Sequence, residues 1–307
     1  MTVFKKRAAT RKLGIEMSDA LIIEKPGKRG KRRPSPTVII FSIIGAILLL
    51  TAILAPWIAP HNPNVGVLYD RLKPPFWQKG GSLEFPLGTD TLGRDVLSRL
   101  IYGARTTLSV CALVVVIAGS LGTFLGIIAG YLGNWFDIII MRAVDLVFSL
   151  PTVLLALLLG AIFGPSFEIL VFIISFTLWA GYARMARAET LKIKGFDFIS
   201  LAKVAGCSRS SIMARHIFPN VLSPIIILAT LQVGTIVIVE ASLSFLGVGI
   251  PPPTADWGSM ISDGRSYIVT AWWLCIIPGL AIALTVLTFN LLGDSLNDWL
   301  NPLIHRQ

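Results

Sequence analysis

Long apolar runs separated by short polar segments dominate the hydrophobic pattern of this chain. The runs cover about residues 38–59, 108–131, 138–162, 169–185, 221–246 and 271–292. Each has the roughly 17–25 residues that an α-helix needs to cross the hydrocarbon core of a bilayer. Charged residues make up only 14% of the chain, whereas about a quarter is usual in soluble domains. The pattern therefore predicts an all-α integral membrane protein with six transmembrane helices.

Basic residues are unevenly distributed among the segments that join these spans. Residues 1–37 contain eleven Lys or Arg against three acidic residues, and they include too few apolar positions to form a core. We therefore expect a disordered tail, or one that lies on anionic lipid headgroups. If this tail is inside, the segments on its side contain twenty of the 27 Lys and Arg residues. The positive-inside rule then predicts cytoplasmic N- and C-termini, the latter in a short tail at 295–307, and no nucleic-acid partner.

A polar loop of more than forty residues, 60–105, follows the first span at 38–59 and is predicted to lie outside the cytoplasm. Its first half is rich in Pro, Gly and aromatic residues, which predicts irregular structure. In its second half Thr89 or Asp90 is expected to cap a short helix that lies in the membrane interface. The apolar stripe of that helix consists of Leu92, Val96, Leu97, Leu100 and Ile101.

Four charged residues of alternating sign lie along this predicted helix, namely Asp90, Arg94, Asp95 and Arg99. A catalytic or metal-binding cluster is one interpretation of such a set. Opposite charges at spacings of four and five residues more often form a solvated face held by salt bridges. We expect the solvated face here.

Residues 106–294 are predicted to form a core of five transmembrane helices. The second span contains glycines at regular spacing, Gly119, Gly122, Gly126 and Gly130. Such a stripe lets a neighbouring helix approach closely in lipid, so this span is expected to pack inside the bundle. Pro151 lies within the third span and is expected to kink it.

Glu240 is an ionisable residue within the fifth span. A charge at that depth is costly, so such a residue usually faces the interior of the bundle or a wet cavity. A structural hydrogen bond to a neighbouring helix is one interpretation of Glu240, and a role in a transport path is the other. The sequence alone leaves both open.

Motifs for catalysis and metal binding are absent from the sequence. It contains no GxxxxGK[ST] phosphate loop, no HExxH and no GxGxxG after a strand. The three histidines are isolated from one another, and they do not make a metal set. Cys111, Cys207 and Cys275 have no CxxC spacing and are expected to be small packing residues. We therefore expect neither catalysis nor a bound cofactor or metal in this chain.

The longest polar interruption in the second half of the chain is the loop 190–220. Within it Leu201, Ala202, Val204 and Ala205 fall at helical spacing beside several cations, which predicts a short amphipathic helix. A solvated, positively charged loop and a docking helix for a soluble partner are both compatible with this pattern.

The segment ISLAKVAGCSRSSIMARHIFPN resembles the cytoplasmic motif of the permeases of type I, binding-protein-dependent ABC importers. Its spacing from the glycine to the closing Pro-Asn pair is specific. Three further segments are similar to the dipeptide, oligopeptide and nickel branch of these permeases. They are FPLGTDTLGRDVLSRLIYGART, EASLSFLGVGIPPPTADWG and FNLLGDSLNDWLNP. The resemblance extends from about residue 38 to the end and indicates the second, C-type subunit.

This resemblance implies the type I importer permease fold in a prokaryotic cell membrane, and a subunit that forms half of a pathway for di- or oligopeptides. The implied partners are a second permease in a heterodimer, two ATPase subunits that hold ATP and magnesium, and an extracytoplasmic solute-binding protein. The implied ATPase-coupling residues are Ser200, Leu201, Ala202, Lys203, Val204, Gly206, Arg215, Pro219 and Asn220. Ser200 departs from the family, which usually has an acidic residue there.

Other functions are also compatible with parts of the pattern. Nickel or another small solute, such as a modified sugar or an opine, is the alternative substrate within the family. The scarcity of charge inside the spans suits a pore for many peptides better than a fixed cation path. A stand-alone channel, a gradient-driven transporter and a membrane-anchored receptor are alternatives from other classes. No inverted repeat is evident, and the loops are too short for a binding domain, which argues against them.

Overall fold

The computed structural model of this protein describes residues 36–300, and the side chains of residues 36–298. The predicted basic tail at 1–37 and much of the predicted tail at 295–307 therefore lie outside the described residues. The described α-helices are α1 (Pro36–Ile53), α2 (Ala55–Ile58), α3 (Val96–Leu132), α4 (Asn134–Ser149), α5 (Thr152–Phe163), α6 (Phe167–Lys194), α7 (Asp197–Val204), α8 (Arg209–Ile212), α9 (Phe218–Phe245), α10 (Trp257–Gly264) and α11 (Trp273–Leu300). No β-strand forms within residues 36–300, so the all-α expectation is confirmed.

Five helical segments of the described chain are long and apolar enough to cross a membrane. They are α1, α3, α6, the continuous stretch Arg209–Phe245, and α11 up to Asp298. Helices α4 and α5 together pass the same test, but they are bent by 85° at the break between them. The protein is therefore a multi-pass membrane protein with five candidate spans, or six if the bent helix pair counts as one span.

The break between α4 and α5 corrects the expectation of a single kinked helix. Pro151 has no N–H to donate to the preceding turn, and its ring disfavours helical backbone at the residue before it. Leu150 accordingly adopts an extended conformation, with φ −92° and ψ 122°. Both effects act at the same place, so the helix ends at Ser149 and a new one begins at Thr152.

The glycine stripe of α3 lies against α6. A Cβ atom at Gly122 would overlap the carbonyl oxygen of Trp179 and lie 2.7 Å from the Cβ of Tyr182. One turn later, a Cβ atom at Gly126 would lie 2.7 Å from the Cβ of Ala186. The two helix backbones are thus closer than any larger residue allows, which is the packing that small-residue stripes produce in lipid. Gly119 and Gly130 extend the same contact towards either end of the helix.

Helix α3 is longer than expected, because the predicted interfacial helix and the second span form one helix of 37 residues. The helix begins at Val96 and its N-cap is Asp95, not Thr89 or Asp90. The Asp95 carboxylate accepts hydrogen bonds from the backbone N–H groups of Leu97 and Ser98. No separate helix lies in the interface at this point of the described chain.

Three clusters of buried apolar residues fill the described bundle. One joins α3 and α6 to the loop region around α7 and α8, and it includes Ile199, Ile212 and Ile217. A second lies among α3, α5, α6 and α9. The third includes Trp257 and Trp273, and it joins the start of α3 to α10 and α11. Each end of the bundle therefore has a packed core that can position a site.

Replacement of Gly122 by Ala should destabilise the protein, because the added methyl group has no space between α3 and α6. Overpacking of this kind costs about 1–3 kcal/mol. Gly279→Ala is the matched control, since Gly279 also lies in a membrane helix but a Cβ there would meet nothing within 4 Å. Thermal unfolding of the purified protein in detergent measures both variants. Equal midpoints for the two would contradict the close contact between α3 and α6.

Candidate functional site

Helix α7 presents two different faces. Ile199 and Ala202 are buried in the cluster that α3, α6 and α9 share with the loop region. Leu201 and Val204 point away from the bundle, with 68% and 88% of their surface exposed. Ala202, one of the predicted coupling residues, therefore packs towards the bundle and not on the exposed face. Ile199 was not among the predicted site residues, although its spacing of three from Ala202 is a signal for a shared helix face.

A left-handed turn ends α7 and leads directly into α8. Gly206 has φ of +79°, a conformation that favours glycine. The N–H of Cys207 donates to the carbonyl of Ala202 at 3.1 Å, and the N–H of Gly206 donates to that of Lys203 at 3.1 Å. These two bonds form a Schellman motif, which satisfies the last carbonyls of the helix. The glycine of the sequence motif is thus required by the turn.

The exposed side of this turn contains several of the predicted residues. Ser200, Lys203 and Arg215 are all exposed, as is Cys207. The exposure of Cys207 corrects its prediction as a packing residue, whereas Cys111 is buried. Together with Leu201 and Val204, these residues form a surface that combines apolar side chains with positive charge. We call it the α7 surface.

A π-helical turn, Met213–Ile217, connects α8 to α9 beneath α7. Pro219 lacks an N–H and cannot donate to the carbonyl four residues earlier, which favours a wider turn at this point. Asn220 donates from Nδ2 to the carbonyl of His216 at 2.6 Å. The His216 ring in turn lies 6.4 Å from that of Phe198 on α7. Pro219 and Asn220 therefore lie next to the helical turn whose His216 ring packs beside α7.

One ion pair and one hydrogen bond hold the end of α6 that leads into α7. Arg187 donates to both carboxylate oxygens of Asp137, through Nε at 2.5 Å and Nη2 at 2.7 Å. Lys194 donates from Nζ to the carbonyl of Tyr131 at 2.8 Å. A bidentate pair fixes orientation as well as distance. The α7 surface is therefore attached to a rigid support.

The sequence of this chain matches the models of two protein families. The family described as binding-protein-dependent transport system inner membrane component matches residues 122–306. This match covers more than half of the chain and includes the whole α7 surface. The chain belongs to this family. A second family, described as the N-terminal transmembrane domain of oligopeptide transport permease C, matches residues 33–75 of the permease.

Several curated relatives align with most of the permease. The dipeptide transport system permease protein DppC of Escherichia coli K12 is 48% identical over 83% of this chain and 85% of its own length. The di/tripeptide transport system permease protein DppC of Pseudomonas aeruginosa is 40% identical over 83% and 84%. The probable D,D-dipeptide transport system permease protein DdpC of E. coli K12 is 38% identical over 87% and 88%.

At the other end of the permease, the charges of the loop before α3 are buried. Asp90 accepts hydrogen bonds from the backbone N–H and Nε of Arg94, at 2.9 and 2.6 Å. Arg99 lies 3.6 Å from the same carboxylate and donates to the carbonyls of Pro63 and Pro253. The expected solvated face is therefore wrong. The loop 60–93 folds over these residues, and a buried ion network results.

Two further acidic residues lie beside this network, and one of them, Asp263, contacts it. Asp95 lies 3.6 Å from Nδ1 of His61. Asp263 on α10 lies 3.7 Å from Nη2 of Arg94. Burial raises the pKa of the Asp263 carboxyl, and the positive charges of Arg99 and Arg94 oppose that shift. The network ties α10 to the start of α3.

Glu240 is fully buried between α9 and α3. Thr107 on α3 donates to one of its carboxyl oxygens at 3.2 Å. This contact favours the structural hydrogen bond over the transport path as the role of Glu240. Thr107 was not among the predicted residues; it lies immediately before the apolar run 108–131, and no pattern of the sequence marks it.

Removal of the Asp90 charge should be far more damaging than removal of an exposed one. Asp90→Asn leaves buried Arg99 without its counter-charge and leaves Arg94 with only Asp263 at 3.7 Å; loss of one partner from a buried pair costs about 3–5 kcal/mol. The control is Asp145→Asn, since Asp145 pairs with Arg184 and both side chains are more than half exposed. Exposed pairs contribute about 1 kcal/mol or less. Thermal unfolding measures the difference, and similar losses for the two variants would contradict the buried network.

Proposed function

We propose that this permease is the membrane subunit of an ATP-driven importer for di- and oligopeptides. The observation that carries the proposal is the similarity over more than four fifths of the chain to three permeases that are named for peptide transport. We count α4 and α5 as one broken span, which makes six spans. Both termini and the α7 surface then lie in the cytoplasm, where the positive-inside rule puts them.

The α7 surface is suited to contact an ATPase subunit. Val204 and Leu201 are exposed apolar residues on a helix that also carries cations, a combination that fits a groove of a soluble partner. The opposite face of α7 is anchored by Ile199 and Ala202. A helix that is held on one face and exposed on the other can transmit a rigid-body movement into the bundle. Ser200 offers no negative charge, so apolar contacts carry the docking.

The remaining parts of the transporter follow from this assignment. A second, different permease subunit completes the pathway, and two ATPases hold ATP and magnesium on the cytoplasmic side. A solute-binding protein delivers peptides from the opposite side. This chain itself performs no catalysis and binds no cofactor. Nickel or another small solute is a weaker alternative, because the relatives named above are named for peptides.

A single charge on the α7 surface should separate the permease from its ATPases. Val204→Asp puts an unpaired carboxylate into the proposed apolar contact, and burial of such a charge costs several kcal/mol. We expect at least a tenfold loss of ATPase subunits when the tagged permease is purified from solubilised membranes. Mass spectrometry of the purified material measures it, and peptide uptake by the same cells should fall in parallel.

Leu83→Asp is the control for this experiment. Leu83 is 80% exposed, but it lies in the loop at the other end of the permease. This variant should retain its ATPases. A wild-type chain that purifies without any ATPase would contradict the proposed function and would favour a channel or a gradient-driven transporter.

The exposed thiol of Cys207 provides a direct test of orientation. In cells that express the permease without its ATPases, a membrane-impermeant maleimide should label Cys207 in inverted vesicles and leave it unlabelled in intact cells. Leu83→Cys in a Cys207→Ser background should show the opposite pattern, because Leu83 lies at the other end of the protein. Mass analysis of the labelled chain measures both sites. Labelling of Cys207 from outside would reverse the proposed orientation.

A further inference from the structure

The start of α10 is buried in a junction with α3 and α9. The indole of Trp257 donates from Nε1 to the carbonyl of Leu100 on α3 at 3.0 Å. A Cβ atom at Gly258 would lie 2.8 Å from the Cα of Ala241 on α9. The start of α10 therefore packs directly against both α3 and α9.

Two carboxyl groups lie together inside this junction. Glu240 and Asp256 are both fully buried. Asp256 lies two residues before Gly258, whose backbone packs on that of Ala241, the residue after Glu240, so the two carboxyls are neighbours that interact. Asp256 is the N-cap of α10, and its Oδ2 accepts from the N–H of Ser259 at 2.9 Å. Oε2 of Glu240 accepts from Thr107. One oxygen of each carboxyl, Oε1 of Glu240 and Oδ1 of Asp256, has no hydrogen-bond partner.

The surroundings of the pair contain no neutralising cation at contact distance. The groups that act on Glu240 are Asp256 on α10, Thr107 and Cys111 on α3, and Ser244 on α9. Arg99 acts on Asp256 from a greater distance. Neither carboxyl forms an ion pair with any Lys, Arg or His among residues 36–298. No ionisable side chain of α6 or α11 is among the groups that act on Glu240 within the described chain.

Two ionised carboxylates in contact and away from water repel each other strongly, and each also loses its hydration. A single proton removes both penalties when the two groups hold it between them. We infer that Glu240 and Asp256 form a proton-binding site, in which Glu240 is the acid and donates through Oε1 to Oδ1 of Asp256. This one bond gives a partner to each of the two oxygens that lack one.

The neighbours of the pair determine which residue carries the proton. Asp256 accepts a backbone N–H at the start of an eight-residue helix, where the helix dipole favours negative charge. It also lies nearer to the positive charge of Arg99. Glu240 has only Thr107, Ser244 and Cys111 beside it. The charge therefore stays on Asp256 and the proton on Glu240, and the bonded pair fastens α10 to the membrane bundle.

Infrared spectroscopy of the permease in lipid nanodiscs tests this inference directly. Ordinary Asp and Glu side chains have pKa values of about 4, so at about pH 8 they are ionised. We expect the wild-type protein to retain the carbonyl band of a protonated carboxyl at this pH, and Glu240→Gln to lose it. Asp263→Asn on α10 is the control, and it should leave the band unchanged. A wild-type spectrum without a protonated carboxyl overturns the inference, even if the variant does not fold.

The stability of the same variants gives a second test. Glutamine places an N–H donor where the acid has its proton, so Glu240→Gln should unfold at the wild-type temperature, whereas Glu240→Ala should not. The folded pair holds a proton that the unfolded chain releases above about pH 4, so the unfolding constant of the wild type should rise with pH relative to that of Glu240→Gln. The rise is up to about tenfold per pH unit. If stability depends on sodium and not on pH, a metal ion lies between the carboxyls and the inference is wrong.

This inference stands apart from the proposed function, because it requires neither peptides nor ATPases. A permease that loses its ATPases through Val204→Asp should keep the infrared band. Conversely, absence of the band would leave co-purification of the ATPases unaffected. The two experiments therefore fail independently.

Discussion

Contact between the backbones of α3 and α6 is the constraint on which the rest of this structure depends. Helices in lipid gain little from the hydrophobic effect when they associate, so close van der Waals packing has to supply the stabilisation. Gly122 and Gly126 allow that packing along the middle of α3. The two helices also extend to opposite functional regions. The start of α3 carries Arg99 of the buried ion network, and the end of α6 carries Lys194, immediately before α7.

The features that depend only on neighbouring residues could be predicted from the sequence. The apolar runs indicated the spans, the spacing of Gly119 to Gly130 indicated a packing face, and Gly206 marked the turn after α7. The burial of Asp90 and Arg99 could not be predicted in this way, because alternating charge looks the same on a solvated helix and in a buried network. The loop 60–93 decides between the two, because it folds over the start of α3 and buries these charges. Such a tertiary contact leaves no local pattern in the sequence.

The α7 helix shows the same limit on a smaller scale. Its apolar positions predicted a helix with one apolar face, and the structure has two. Ile199 and Ala202 pack inwards, whereas Leu201 and Val204 are exposed. When a short helix has apolar residues on both sides, the sequence does not show which side the protein buries. The structure shows that the bundle covers the side of Ile199 and Ala202. The exposed side is thus free for the proposed contact with a partner, and at Ser200 it has no charge.

The continuous helical stretch from Arg209 to Phe245 connects the two regions discussed here. At about 1.5 Å per residue its 37 residues span roughly 55 Å, which is more than the thickness of a bilayer. Its first turns support α7 and its last turns contain Glu240, which bonds to the start of α10. A movement imposed on the α7 surface therefore displaces one end of an element whose other end is fixed to α10 by the carboxyl pair. The π-helical turn at Met213–Ile217 and Pro224 are the two points along this stretch where regular hydrogen bonding is interrupted, and bending concentrates there.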